Sequence, residues 1–203
     1  SSNRSETVSL LSRPDQILAP TVCYHTFESR QNMKISPLVV TALNKCHRHE
    51  PVGVVTLERL TTYWMREIIA IGSQSNIDNL LISACDWTCD LLKRLGLSFD
   101  LVTASDPFFG DANAGPRFMQ SALSLKKEIK LHLFDDQWTA IASFNQHQQT
   151  LVNKFNIQCD LDGESDRTVS GCVGWGYERF VYCLFCSFGS TISEWPKEVR
   201  AAL

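Results

Sequence analysis

Residues 44–72 read NKCHRHEPVGVVTLERLTTYWMREIIAIG, and this stretch decides the fold. Leu38 to Arg48 and Leu60 to Ile71 carry the apolar and aromatic residues of strands. Between them lies HEPVGVVTLER, with Pro51 and Gly53 as turn-forming residues. The pattern predicts an antiparallel hairpin with a long loop. Strand side chains alternate, so Tyr63, Met65 and Glu67 share one face, while Trp64 and Arg66 share the other. Arg48 and Glu50 end the outgoing strand. An arginine at a strand end, facing an aromatic ring, can hold a phosphate while the ring stacks on a base. Taken alone, such a hairpin is read first as a surface ribbon with solvated charges.

Outward from the hairpin, Asn76 to Leu95 has apolar residues at helical spacing, and Gly96 is a natural stop. Phe99 to Ala104 reads as a short strand and DPFFGDANAGP (106–116) as a loop. Ala122 to Phe134 and Trp138 to Phe144 pair around Asp135-Asp136. His147 to Phe155 reads as a helix, and Asp160 to Asp166 as an acidic loop. Val169 to Val173 is a strand, Gly176 to Cys186 a helix, and Pro196 to Leu203 a closing helical turn. Strands come in antiparallel pairs interrupted by helices, which makes the chain α+β rather than a βαβ series.

The second informative stretch is GCVGWGYERF (171–180). A strand runs into Gly174-x-Gly176 and then into a helix bearing Arg179. The glycines let a ligand approach the backbone, and Arg179 can point at it. It is not the dinucleotide-binding fingerprint, because Arg179 stands where the third glycine belongs and no βαβ unit surrounds it.

The chain has 203 residues, 44% hydrophobic and 20% charged, enough for one domain with a sizeable core. A formal net charge of −3 argues against a large nucleic-acid surface. No run of apolar residues has the length of a membrane span, and Ser1 to Thr7 lacks the apolar run of a signal peptide. The first residue is not Met, which reads as a trimmed chain. Eight cysteines in mostly apolar segments read as reduced thiols of a cytoplasmic protein. Cys183 and Cys186 form a CxxC on an apolar helix and read as core, as do Cys85 and Cys89 on one helix face.

Arg-x-Glu on a long hairpin, followed by Gly-x-Gly-x-x-Arg on a strand–helix, resembles motifs 2 and 3 of the class II aminoacyl-tRNA synthetases. Seven blocks narrow the resemblance: VCYHTFE, HRHEP, MREIIAIG, SDPFFG, ASFNQHQ, GCVGWGYERF and EWPKEVRAAL. In this order they are similar to the amino acid:[carrier protein] ligases, relatives of the atypical zinc-dependent seryl-tRNA synthetases. The resemblance runs from about Pro20 to Leu203. It implies an irregular segment over residues 1–20 and a class II catalytic domain over 21–203, an antiparallel sheet flanked by helices.

The resemblance also implies an activity. ATP and a small amino acid would give an aminoacyl-adenylate, whose aminoacyl group passes to the phosphopantetheine thiol of a carrier protein. Arg48 would bind the ATP α-phosphate, Glu50 the adenine end of the site and Arg179 the γ-phosphate, with Tyr63 stacked on adenine. Glu128, in LKKEIK, is a candidate Mg²⁺ ligand; the alternative is a solvated charge on a strand. Asn145 and His147 would face the amino-acid pocket, the alternative being a cap on the helix that follows. By spacing alone Cys23, Glu67 and Cys172 define no metal site, and each cysteine reads as structural. The family resemblance implies that these three bind Zn²⁺, with the fourth position open to the substrate's amino group.

Motif 1, which builds the dimer interface of class II enzymes, has no counterpart here, so a homodimer is left open. Two other functions stand beside the first: seryl-type aminoacylation of tRNA, and a non-catalytic paralog that binds a nucleotide or a partner. The acidic net charge and the lack of an appended tRNA-binding domain disfavour tRNA. Retention of Arg48, Glu50, Arg179 and the three zinc positions disfavours the paralog. Lys93 and Arg94, at a helix end, are the expected docking point for an acidic carrier protein; the alternative is that they only solvate that terminus.

Overall fold

A computed structural model describes residues 17–50, 56–104, 125–134, 136–161, 163 and 167–201. The expected loop at 106–116, most of the hairpin loop, Asp135, most of the acidic loop and residues 1–16 lie outside these. Residues 17–22 are irregular, and α1 follows at Cys23–Glu28. The hairpin is β2, Leu38–His47, and β3, Thr62–Gly72. Next come α2, Gln74–Arg94, then β4, Phe99–Thr103, and β5, Lys126–His132. After β6, Trp138–Gln148, stand α3, Thr150–Lys154, β8, Val169–Gly176, and α4, Tyr177–Phe188. A 3₁₀ turn, Ile192–Glu194, and α5, Lys197–Arg200, close the described chain. Two short strands, β1 at Lys34–Ile35 and β7 at Gln158–Cys159, pair in parallel beside the main sheet.

The main sheet has six strands in the order β2-β3-β8-β6-β5-β4, every neighbour antiparallel. Its register alternates two chemistries. Ala70 and Val173 face α2 and α4 and join the larger core with Ile77, Leu92, Phe144, Leu184 and Trp195. Ile69, Ile71 and Cys172 face the other way and join Cys23, Phe27, Leu151, Val152 and Ile157. Helix α2 starts at Ser73, whose side chain accepts from Asn76 N–H while Asn76 reaches back to the Ser73 N–H. It buries Ile77, Leu81, Thr88 and Leu92 along one stripe. It ends before Gly96, whose φ of 70° is the left-handed conformation that glycine tolerates. Between α2 and α4 the helix face keeps an apolar cavity of about 590 Å³ bordered by Leu80, Trp87, Leu91, Trp175 and Phe180.

Two sequence expectations need correction. The helix expected over His147 to Phe155 begins only at Thr150, because β6 continues through Gln148 against β8. His147 is therefore a strand residue, and Asn145 is not a helix cap; the N-cap is Gln149, without a side-chain bond. Likewise β8 continues to Gly176, so Gly174 and Gly176 are strand residues paired with Glu67 and Met65. The helix that carries Arg179 starts at Tyr177. No helix among the described residues is long and apolar enough to cross a membrane.

Candidate functional site

Strand register lines up the chemistry on the face away from α2. One row runs Lys126, Asn145, Cys172, Ile69 across β5, β6, β8 and β3. The next runs Glu128, Ser143, Gly174, Glu67. A cleft on this face is lined by Arg48, Glu50, Tyr63, Glu67, Glu128, Asn145 and Arg179, which the sequence singled out separately. Lys126, Glu178, Thr21 and Glu58 also line it and were not singled out. Lys126 could have been found from alternation, since it stands two residues before Glu128 on one strand. Glu178 is the neighbour of Arg179 in the glycine-bearing block.

At the hairpin end, the Arg48 guanidinium carbon lies over the Tyr63 ring, 5.3 Å from its centroid. Glu50 lies 3.8 Å from Arg59, across the loop side of the hairpin. Arg179 donates from Nε to the Glu58 carbonyl and from Nη1 to the Ala140 carbonyl at 3.1 Å, so it bridges the hairpin and β6. Burial lowers its pKa. Glu128 pairs with Lys126 at 2.8 Å, with both side chains mostly covered. Gly174 keeps the floor open: a Cβ there would come within 2.8 Å of Met65 Cε and 3.4 Å of Glu67 Cγ.

At the other end Cys23, at the start of α1, meets β3, β6 and β8. Ligating atoms of Cys23, His147 and Cys172 all lie within 4.8 Å of one another, and all three residues are buried. Glu67 stands beside them, also buried. Its Oε1 accepts from Thr21 Oγ1 at 2.9 Å and from Val22 N–H at 3.4 Å. Asn145 Nδ2 approaches Cys172 Sγ at 3.7 Å and donates to Ser143 Oγ at 3.1 Å. The donor atoms within mutual reach are thus those of Cys23, His147 and Cys172, while Glu67 borders Cys23 from outside that trio.

Polarity in this cleft is built for something beyond the protein. Tyr63 Oη, Glu67 Oε2 and Asn145 Oδ1 are buried and have no hydrogen-bond partner among the described residues. Leaving such a group unpaired costs about 1–3 kcal/mol, a cost that a bound ligand or cation would remove. Burial pushes Tyr63 up to about 12. Burial also raises Glu67 against the opposing hydrogen bonds from Thr21 and Val22. Cys172 is raised well above an ordinary thiol, first by its hydrogen bond with Cys23, then by burial and by the charge of Glu67. The His147 imidazole is pushed down to about 3 by burial, which keeps it neutral. Two thiols, a neutral imidazole and a carboxylate that resists ionisation are a donor set suited to a divalent metal, whose charge reverses that resistance. The eight cysteines carry no disulfide, and Cys183 is buried in the larger core.

This sheet, with an arginine on the hairpin and another on the helix after the glycine strand, is the class II synthetase catalytic fold. The seryl-tRNA synthetase of M. kandleri, solved with A. aeolicus tRNASec, superposes with a TM-score of 0.80 at 21% identity, covering 97% of this chain and 39% of that one. The seryl-tRNA synthetase of Pyrococcus horikoshii, solved with ATP, gives 0.66 at 13% identity over 88% of this chain and 41% of that one. Within that class, the chain is a homologue of the amino acid:[carrier protein] ligases. It is 32% identical over 197 residues to Amino acid--[acyl-carrier-protein] ligase 1 of Bradyrhizobium diazoefficiens, covering 95% of this chain. The chain spans 59% of the length of that curated relative. No family model matches it.

Proposed function

We propose that residues 21–203 form the catalytic unit of an ATP-dependent ligase. It activates a small amino acid as its adenylate and passes the aminoacyl group to the phosphopantetheine thiol of a carrier protein. The observation that carries this reading is the single cleft uniting Arg48, Glu50, Tyr63, Glu67, Glu128, Asn145 and Arg179. The names of the homologous ligases support the amino acid and the carrier protein as substrates.

In the first step a carboxylate oxygen of the amino acid attacks the α-phosphorus. The bond to the bridging oxygen breaks, and pyrophosphate leaves with that electron pair. Little covalent work falls to the protein, so position and fixed positive charge dominate. Arg48 meets the α-phosphate, and its partner ring, Tyr63, takes adenine, with Glu50 beside the base. Arg179 leaves the Glu58 carbonyl for the γ-phosphate. Glu128, paired with Lys126 here, would hold magnesium, which suits carboxylate and phosphate oxygens. In the second step the carrier thiolate attacks the aminoacyl carbonyl and AMP leaves. Cys23, Cys172 and Glu67 would hold zinc beside Asn145. Zinc there supplies a Lewis-acid contact for an α-amino group. Asn145 Oδ1 offers that group an acceptor.

The test is amino-acid-dependent exchange of labelled pyrophosphate into ATP, run across all amino acids. One or a few small amino acids should drive exchange. A protein that binds ATP yet exchanges with none would be a non-catalytic paralog.

A further inference from the structure

The ring of donor atoms around Cys23 is closed by a residue that the resemblance assigns elsewhere. His147 sits where β6 and β8 slip register: Gln146 pairs with Gly171, and Gln148 with Ser170, leaving His147 as an extra residue between two pairs. Such a bulge re-aims the side chain it carries. The next residue, Gln148, has a φ of 52°, the left-handed region that costs a non-glycine residue strain. Local strain of this kind persists where surrounding contacts hold it, and it concentrates at functional sites. Here the irregularity delivers an imidazole to two thiols.

The surroundings of the ring have the form of a ligand's support. His147 Nδ1 lies 3.2 Å from Ser170 Oγ, and Phe27 packs edge-on with ring centroids 6.0 Å apart. Histidines that bind metals commonly give their other ring nitrogen to an oxygen of this kind, which fixes tautomer and orientation. A tetrahedral zinc with bonds of about 2.0–2.3 Å sets its donor atoms roughly 3.3–3.8 Å apart. A ring already closed to 4.8 Å needs only small side-chain adjustments to reach that.

We infer that His147 is a direct metal ligand, joining Cys23 and Cys172. This rests on the zinc of the proposed function. With Glu67 as the fourth donor, a substrate amino group would enter as a fifth, an expansion that zinc sites allow.

The experiment uses the full chain as wild type, His147→Gln, His147→Cys and Glu67→Gln. Zinc affinity is read by competition with a chromogenic chelator, and the metal environment from the visible spectrum of the cobalt-substituted protein. His147→Gln should weaken zinc by at least about 10-fold and change the cobalt d–d bands. His147→Cys should restore zinc and add thiolate-to-cobalt charge-transfer intensity. Unchanged affinity and spectrum in a folded His147→Gln would overturn the inference. Where near-ultraviolet circular dichroism shows that variant to be unfolded, His147→Cys decides, and no added charge-transfer intensity would overturn it. Equal losses in His147→Gln and Glu67→Gln keep His147 as a ligand and make Glu67 another. A wild type that binds neither metal would remove the zinc from the proposed function itself, a distinct result.

Discussion

Glu178, in the first turn of α4, accepts the backbone N–H of Trp64 on β3, at 3.0 and 2.9 Å from its two carboxylate oxygens. Trp64 lies beyond the last residue of β3 that pairs with β8, so its N–H has no ladder partner on that side. Glu178 therefore stitches the helix that carries Arg179 to the strand that carries Tyr63. Glu178→Ala should lower stability by about 1 kcal/mol in urea unfolding, the net value of one such bond. Misplacement of the two cleft residues should reduce pyrophosphate exchange as well, with Glu178→Gln intermediate between alanine and wild type. Equal exchange by alanine and wild type would leave the stitch with no part in positioning.

Arg48→Ala and Arg179→Ala should each lower pyrophosphate exchange by about 10²–10³, the usual effect of losing a fixed charge that meets developing phosphate charge. They should differ in stability. Arg48 is exposed at the end of the hairpin and donates to the Pro20 carbonyl at a long 3.4 Å, whereas the half-buried Arg179 joins both the Glu58 and Ala140 carbonyls. Thermal melting should therefore fall more for Arg179→Ala. Near-normal exchange in either variant would refute its assignment to phosphate.

Two glycines of β8 should behave differently as alanine. At Gly171 a Cβ would meet Ile77 Cγ2 at 2.6 Å and the Asn145 backbone oxygen at 2.9 Å, and a backbone atom cannot swing away. Gly171→Ala should cost about 1–3 kcal/mol, as overpacked sites do. At Gly174 the close atom is the end of the flexible Met65 side chain, so the variant should fold and lose activity through a crowded cleft floor. Urea unfolding of both, beside exchange assays, checks the contrast.

The acceptor is expected to be a carrier-protein thiol. With ATP, magnesium, the preferred amino acid, phosphopantetheinylated carrier protein and total tRNA in one mixture, label should appear on the carrier. Lys93 and Arg94 occupy the last turn of α2, and Lys93 pairs with Asp90 at 3.3 Å on the surface. A Lys93→Glu/Arg94→Glu double variant should transfer more slowly while exchanging pyrophosphate normally. Label on tRNA would overturn the acceptor. Unaltered transfer by the double variant would move the docking point elsewhere.

Much of this was legible because strand alternation is strict. Tyr63, Met65 and Glu67 share a face by parity alone, and the glycines of GCVGWGYERF announce a close approach. Parity could not reveal which strands adjoin, so the row from Lys126 to Cys172 was invisible until β8 was seen between β3 and β6. The end of β6 differs from the sequence reading because HQQTLVNKF has helical spacing from its start, while the pairing of Gln148 with Ser170 keeps the chain in the sheet. A bulge leaves no compositional trace, so nothing in the sequence brings the His147 ring near the thiols.

The strand order has a consequence for how the chain folds. β8 is the last strand of the main sheet in sequence, yet it lies between β3 and β6. Before Val169–Gly176 is made, the chain offers only a β2–β3 ribbon and a β4–β5–β6 meander, each with an edge that will later be interior. Joining them requires contacts across about a hundred residues, the slow kind of closure. Until then two unpaired edges invite pairing with other chains. The cleft cannot form along the way: the strand that unites the halves also brings Cys172 and Gly174, with Arg179 next. The cleft is therefore completed in a single step, when the keystone strand slots in.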